Sequence, residues 1–174
     1  MIRFSTLDVA MPPIDPQRVK AWIVEVAAKY GKTIGELYYY FCSDDKLLEI
    51  NRERLGHDFY TDIVTFPLTD CETVLSSEFC ISVDRIKENS VTFGRTYESE
   101  LHRVIIHGVL HLIGFDDHSE AEEKEMREQE DMALELLTIS TTQEPFTVMA
   151  DTDPPSPLRV DDNSRSGDCG SSPQ

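Results

Sequence analysis

The chain has 174 residues, 40% of them hydrophobic, which is enough for one globular domain with a core of its own. Its formal net charge of −17 argues against nonspecific attraction to nucleic acid, so any RNA-facing surface must depend on local basic residues. The sequence has no apolar run of about 18 residues, no secretory leader and no CxxC pair, so we expect a cytoplasmic protein with reduced thiols and no membrane partner.

Capping residues and hydrophobic periodicity predict the elements of the first hundred positions. Asp15 is predicted to cap one helix, and Ser43 to cap a second helix that ends at Gly56. Asp84 is predicted to cap a third helix, which begins at Arg85. Short runs rich in apolar and aromatic residues predict four strands, at residues 2–7, 37–42, 62–66 and 79–83.

Two further helices are predicted beyond these strands. The segment 97–113 is apolar nearly all round, as expected for a helix in the middle of a domain. Ser119 and Glu122 form a capping box that opens a last helix, whose apolar pattern stops after Leu137. Strands and helices alternate, but the strands are short and the last two helices are consecutive. The pattern therefore predicts an α+β fold, with a small mixed sheet packed against helices around the central helix.

The chain is predicted to divide into a folded domain at residues 1–137 and a tail at residues 138–174. The tail is rich in proline, serine and threonine and has few large apolar side chains. A segment of that composition cannot bury enough apolar surface to offset its conformational entropy, so we expect the tail to be disordered.

The central helix carries the main functional signal. His107 and His111 stand four residues apart, one turn from each other on one face, and Gly114 then allows the chain to turn back. A polar cluster at residues 116–118 follows. Two imidazoles from a helix and a third ligand from a turn would leave one position open on a zinc ion, which lowers the pKa of a bound water toward ~7.

The sequence leaves two neighbouring candidates for the third metal ligand. Asp117 and His118 are adjacent, and the side chains of adjacent residues usually point in different directions, so we expect only one of them to ligate. A carboxylate ligand would suit zinc and also harder metals. Asp116 is a candidate for orienting an imidazole, or a solvated turn residue. Histidine pairs at this spacing are also common without a metal, so the polar cluster that follows is what strengthens the prediction.

The glycine at position 108 limits which hydrolytic reactions the site could catalyse. An HExxH metallopeptidase carries its glutamate base at the position after the first histidine, and this chain has glycine there. The pattern argues against peptide hydrolysis by that mechanism. It is compatible with phosphodiester hydrolysis, in which a metal and cationic groups supply much of the catalysis.

The string from His107 to His118, HGVLHLIGFDDH, resembles the metal-binding motif of the YbeY family of metal-dependent endoribonucleases. Asn51, the segment TDIVTFP at 61–67, and Met126 with Glu130 extend the resemblance. The family resemblance implies an α+β fold with a central helix, one Zn²⁺ per chain held by three residues, and cytoplasmic work on ribosomal RNA precursors, especially at the 3′ end of 16S rRNA.

The chain departs from the usual family pattern at two places. The family's third histidine falls six residues after the second, where this chain has Asp117, and His118 follows one residue later. We favour Asp117 as the ligand, because the turn then keeps its length. The family's usual arginine, six residues before Thr61, is replaced by Leu55. Arg54 is the nearest substitute for a catalytic or RNA-binding role, and its alternative role is an exposed helix charge.

The leading hypothesis is a single-strand-directed, zinc-dependent endoribonuclease of rRNA processing and ribosome quality control. His107 and His111 would act through the metal, and Arg54, Arg85 and Arg103 would form a basic rim for phosphates. Expected partners are a ribosomal RNA precursor and ribosomal proteins or the small subunit. The alternatives are a non-catalytic ribosome-assembly factor with a structural metal and, third, a metallopeptidase.

Overall fold

The computed structural model describes residues 1–139 and contains a four-stranded sheet and five helices. The disorder predicted for the tail concerns residues that, from 140 onward, lie outside this range. In the described part of the chain, no helix combines the length and the hydropathy needed to cross a lipid bilayer. The elements are β1 (Ile2–Thr6), α1 (Pro16–Lys29), β2 (Thr33–Cys42), α2 (Asp44–Leu55), β3 (Ile63–Pro67), β4 (Val74–Ser82), α3 (Val83–Thr92), α4 (Tyr97–Ile113) and α5 (Glu120–Ile139).

The sheet is mixed, with strand order β1-β2-β4-β3. The pairs β1–β2 and β2–β4 are parallel, and β3 pairs antiparallel with β4 at one edge. Tyr39 and Phe79 are register partners on β2 and β4, and their rings stack 4.6 Å apart in the core. The α+β architecture predicted from the sequence is confirmed.

Helix α4 lies in the middle of the domain, as its apolar character predicted. Its bounds agree with the prediction, and Leu101, Ile105 and Val109 are fully buried along it. Gly108 faces the sheet so closely that a Cβ placed there would lie 2.7 Å from the ring of Phe79. This close approach places the last two turns of α4 directly beside β3 and β4.

Helix α5 covers α4 and reaches α1. Met126, Ala133 and Leu137 are buried along its inner face. The indole nitrogen of Trp22 on α1 donates a hydrogen bond to the carbonyl oxygen of Ala133 at 2.6 Å. The helix continues two residues beyond the predicted boundary at 137, to Ile139.

The predicted start of α3 was wrong by two residues. Ser82, and not Asp84, is the N-cap, because the Ser82 hydroxyl accepts the amide of Arg85 at 3.1 Å and the helix begins at Val83. The Asp84 carboxylate accepts the backbone N–H of Asp44 at 2.9 Å, so it joins the start of α2 to α3. Two acceptors lie within three residues here, and tertiary contacts decide which of them caps the helix.

Candidate metal centre

Helix α4 and the turn that follows it bring three potential ligands together. The helix ends at Gly114, whose φ of 119° reverses the chain, and Asp117 returns to the histidines. The Nε2 atoms of His107 and His111 are 2.9 Å apart, and Oδ2 of Asp117 lies 3.6 and 3.8 Å from them. These three residues are the group that could hold a metal ion among the described residues.

The geometry of the three atoms fits a small divalent cation. Zinc bonds to nitrogen and oxygen are about 2.0–2.2 Å long, so ligand atoms in a tetrahedral site stand about 3.3 Å apart. The three separations of 2.9, 3.6 and 3.8 Å lie on both sides of that value. Each side chain is partly exposed, which leaves a face of the cluster open to solvent.

Hydrogen bonds fix which ring nitrogen of each histidine faces the cluster. His111 Nδ1 donates to the carbonyl oxygen of Phe115 at 2.9 Å, since a carbonyl can only accept. His107 Nδ1 lies 2.8 Å from a carboxylate oxygen of Glu130 and donates to it. Both Nε2 atoms therefore present lone pairs to each other and to Asp117, an arrangement that a bound cation stabilises.

The electrostatic interactions of the cluster extend to Glu130 on helix α5. Burial lowers the pKa of His107, but its hydrogen bond to Glu130 and the surrounding carboxylates outweigh burial and raise that pKa. Burial and the neighbouring His107 lower the pKa of His111. Burial alone would raise the pKa of Glu130, yet the hydrogen bonds from His107 and Arg103 lower it. Glu130 is thus held as an anion next to a proposed ligand.

The structure separates the remaining candidates from this cluster. His118 and Asp116 are both exposed, and both border the cavity next to the histidines without joining the group of three. The orienting role considered for Asp116 is filled by Glu130 and by the carbonyl oxygen of Phe115. Which residue completes the ligand set stays a prediction, and the geometry favours Asp117.

Arg54 lies away from the histidines. Its guanidinium stacks 3.9 Å from the ring centroid of Phe66 and bonds Glu78 at 3.1 Å. Leu55, which stands at the family's usual arginine position, lines a cavity that His107 and His111 also line. Arg54 does not line either of the two cavities that border the cluster. The contacts of Arg54 are those of a helix charge anchored to the sheet, and its catalytic role stays a prediction.

Two cavities meet at the cluster. One has a volume of about 430 Å³ and extends toward α5, and the other has a volume of about 390 Å³ and extends toward the end of α2. His107, Asp117 and Asp62 line both cavities. An extended substrate could therefore lie across the cluster, with one part in each cavity.

The basic rim predicted from the sequence is largely absent from these cavities. Of the three arginines proposed for it, Arg103 lines the larger cavity, while Arg54 and Arg85 line neither. Each arginine of the larger cavity is already bonded to carboxylates. The pairs are Arg95 with Glu100, Arg103 with Glu130 and Asp131, and Arg127 with Glu123.

Two acidic residues of the site, Glu130 and Asp62, were not predicted as site residues from the sequence pattern. Glu130 was noted through the family resemblance alone, although it falls four residues after Met126 on the buried face of α5. A carboxylate on a buried helix face is a signal in itself, because it must be paired. Asp62 was assigned only to a strand, and its position between the two cavities depends on tertiary structure.

Replacing Glu130 with glutamine is expected to weaken Zn²⁺ binding about 10–100-fold, the usual effect of losing a carboxylate that orients a ligating histidine. The amide keeps the size of the side chain but removes the charge that fixes the His107 tautomer. The affinity can be measured by competition with a chromophoric chelator.

Glu128→Gln is the matched control for this experiment. Glu128 lies on the same helix with a side chain that is 61% exposed, and its ion pair is with Lys124. Equal zinc affinities of the two variants would show that Glu130 does not support the site.

A buried helix that ends in two histidines, with a carboxylate returning from the next turn, defines an α+β protein with a metal-binding site of the two-histidine, one-carboxylate type. The comparisons with known proteins extend this description. Residues 9–138 match the family model described as Endoribonuclease YbeY. The chain is 47% identical over 139 residues to the endoribonuclease YbeY of Phocaeicola vulgatus, covering 80% of this chain and all of that protein.

A second curated relative, the endoribonuclease YbeY of Bacteroides thetaiotaomicron, is 47% identical over 78% of this chain and 98% of its own length. The solution structure of TM1509 from Thermotoga maritima is similar in fold, with a TM-score of 0.56 and 29% identity over 84% of this chain and 99% of that chain. The chain belongs to the YbeY family of endoribonucleases.

Proposed function

We propose that this chain is a zinc-dependent endoribonuclease that cuts single-stranded segments of ribosomal RNA precursors in the cytoplasm, with the 3′ end of 16S rRNA as its main site. The observation that carries the proposal is the open cluster of His107, His111 and Asp117 in a chain of an endoribonuclease family. The ribosomal substrate and the contact with ribosomal proteins or the small subunit rest on the family resemblance.

The residues around the cluster have separate roles in this proposal. His107, His111 and Asp117 would hold one zinc ion, and Glu130 and the carbonyl oxygen of Phe115 would keep the imidazoles in the ligating tautomer. When bound, the metal would polarise a phosphoryl oxygen and lower the pKa of water. Asp62, which lines both cavities, offers a carboxylate that can accept a proton beside the scissile bond.

The open geometry favours catalysis over a purely structural metal. Structural zinc sites are closed by four protein ligands, whereas catalytic sites have three and keep one position for water or substrate. Among the described residues the cluster has three members, and it opens onto two cavities. This arrangement weakens the alternative of a non-catalytic ribosome-assembly factor.

The structure gives a steric reason against the metallopeptidase alternative. A glutamate in place of Gly108 would put its Cβ 2.7 Å from the ring of buried Phe79. The position faces the sheet and not the cavities, so a base placed there could not reach a substrate. An HExxH mechanism is incompatible with this packing.

Removal and return of metal tests the proposed function. We expect the purified protein to cut a transcript of the precursor 16S rRNA 3′ end, to lose this activity after treatment with a chelator, and to regain it with one equivalent of Zn²⁺. Products are mapped on denaturing gels, with a fully paired duplex of the same sequence as the control substrate.

Three outcomes would contradict the proposal or part of it. Cleavage that persists after the chelator has removed all metal would exclude metal-dependent chemistry. A protein that holds one zinc per chain but cuts neither the transcript nor other single-stranded RNA would favour a non-catalytic ribosome-assembly factor over an endoribonuclease. Recovery with Mn²⁺ and not with Zn²⁺ would correct the identity of the metal.

A further inference from the structure

An exposed pair of aromatic rings borders the smaller cavity. The rings of His57 and Phe59 stack with centroids 5.2 Å apart and planes inclined by 22°. Both residues line the cavity together with His107 and His111, and Phe59 is 57% exposed. The Phe59 ring is largely exposed in the wall of this cavity, so its face is available for stacking by a planar ligand.

The segment that carries these rings is anchored by polar contacts. Asn51, which is buried at the end of α2, donates its side-chain amide to the carbonyl oxygen of Phe59 at 3.0 Å. Gly56, with a φ of 67°, ends α2 and directs the chain toward the cavity. Arg52 forms an ion pair with Asp58, the residue between His57 and Phe59 in the sequence. These contacts hold the backbone of the segment in place before any ligand arrives, which lowers the entropic cost of ordering it on binding.

The electrostatics of the site favour an uncharged mode of recognition. The described residues that line the smaller cavity include three aspartates and neither lysine nor arginine. The arginines of the larger cavity are bonded to carboxylates, and the chain as a whole carries a charge of −17. Phosphate attraction by free cationic side chains, which dominates most RNA binding, is weak here.

We propose that His57 and Phe59 form a platform on which one unpaired nucleobase stacks, beside the phosphodiester held at the metal cluster. We call this pair the aromatic platform. The inference rests on the proposed function and specifies how its substrate is bound. Every base has a π-face, so stacking selects unpaired RNA without reading its sequence, whereas a paired base inside a duplex cannot reach the platform.

The test compares three variants under single-turnover and steady-state conditions. Phe59→Ala is expected to raise KM for a single-stranded RNA about 10-fold with a smaller change in kcat, because a stacked base is lost from binding. Phe59→Trp restores a stacking surface and should recover the KM of the unmodified protein. Val91→Ala removes a side chain that is 78% exposed and lines neither cavity, so it should behave as the unmodified protein.

An abasic substrate separates stacking from a merely structural effect. One abasic nucleotide is placed in turn at each position on either side of the mapped cleavage point. At one position, the missing base should cost the unmodified protein about 10-fold in KM and cost Phe59→Ala almost nothing further, because both changes remove the same contact.

The salt dependence of binding gives an independent readout. With few free cationic side chains at the site, the slope of log affinity against log salt concentration should correspond to no more than about two neutralised phosphates, and Phe59→Ala should leave that slope unchanged.

The outcomes distinguish this inference from the function on which it rests. An unmodified protein that cuts RNA, with Phe59→Ala showing the same KM and the same loss on every abasic substrate, would overturn the aromatic platform alone. A steep salt slope would assign binding to cationic residues instead. An unmodified protein that neither binds nor cuts RNA would overturn the proposed function, and the platform with it.

Discussion

Replacing His111 with alanine is expected to reduce Zn²⁺ affinity by more than about 100-fold and to bring RNA cleavage down to the level of the chelator-treated protein. The loss exceeds that expected for an orienting residue, because the imidazole itself is removed from a group of three. Zinc content is measured after gel filtration, and cleavage is followed on the precursor transcript with both proteins prepared identically. Equal cleavage by the two preparations would indicate a contaminating nuclease.

The same assay decides the third ligand. Asp117→Asn should lose metal as His111→Ala does, since an amide oxygen is a much poorer zinc ligand than a carboxylate. His118→Ala should retain one zinc per chain, because His118 is exposed and lies outside the cluster. The reverse result would mean that the imidazole of His118 moves inward when metal binds, and that Asp117 has another role.

Replacing Gly108 with alanine is expected to lower the free energy of unfolding by about 2 kcal/mol, although the same change in an unhindered helix raises it by up to about 1 kcal/mol. The added Cβ would lie 2.7 Å from the ring of Phe79 and 2.9 Å from Cδ1 of Ile63. The Phe79 ring is fully buried and stacked on Tyr39, so it cannot move aside without disturbing the sheet.

Urea unfolding measures this effect, and Gly108→Val extends it. The valine variant should be less stable again, because two further methyl groups must enter the same space. A folded Gly108→Ala protein that binds zinc as the wild type does would show that movement of the sheet residues relieves the clash without displacing His107 and His111. Increased stability of Gly108→Ala would contradict the close approach of α4 to β4.

The central helix and its histidines were predictable because their signals are local. The apolar pattern gives α4 between residues 97 and 113, and a spacing of four places His107 and His111 on one face. Both features depend only on the periodicity of a helix. The position of Asp117 was also accessible from the sequence, since Gly114 is a glycine at the end of a helix, where chains turn back.

The features that could not be predicted depend on contacts between distant segments. Strands β2 and β4 begin earlier than predicted, at Thr33 and Val74, because these two residues are register partners whose pairing extends both strands. Neither end has an apolar run that would mark it. The stacked rings of His57 and Phe59 escaped notice for the same reason: their segment has no periodicity, and only the fold brings it to the cavity.

Helix α5 also gives the molecule an intrinsic optical probe. The chain contains one tryptophan, Trp22, and its indole is bonded to the carbonyl oxygen of Ala133, three residues beyond Glu130. Glu130 in turn holds His107. A change at the metal ligands that shifts α5 would therefore alter the surroundings of the only indole, and the emission spectrum of Trp22 would report that shift without an added dye.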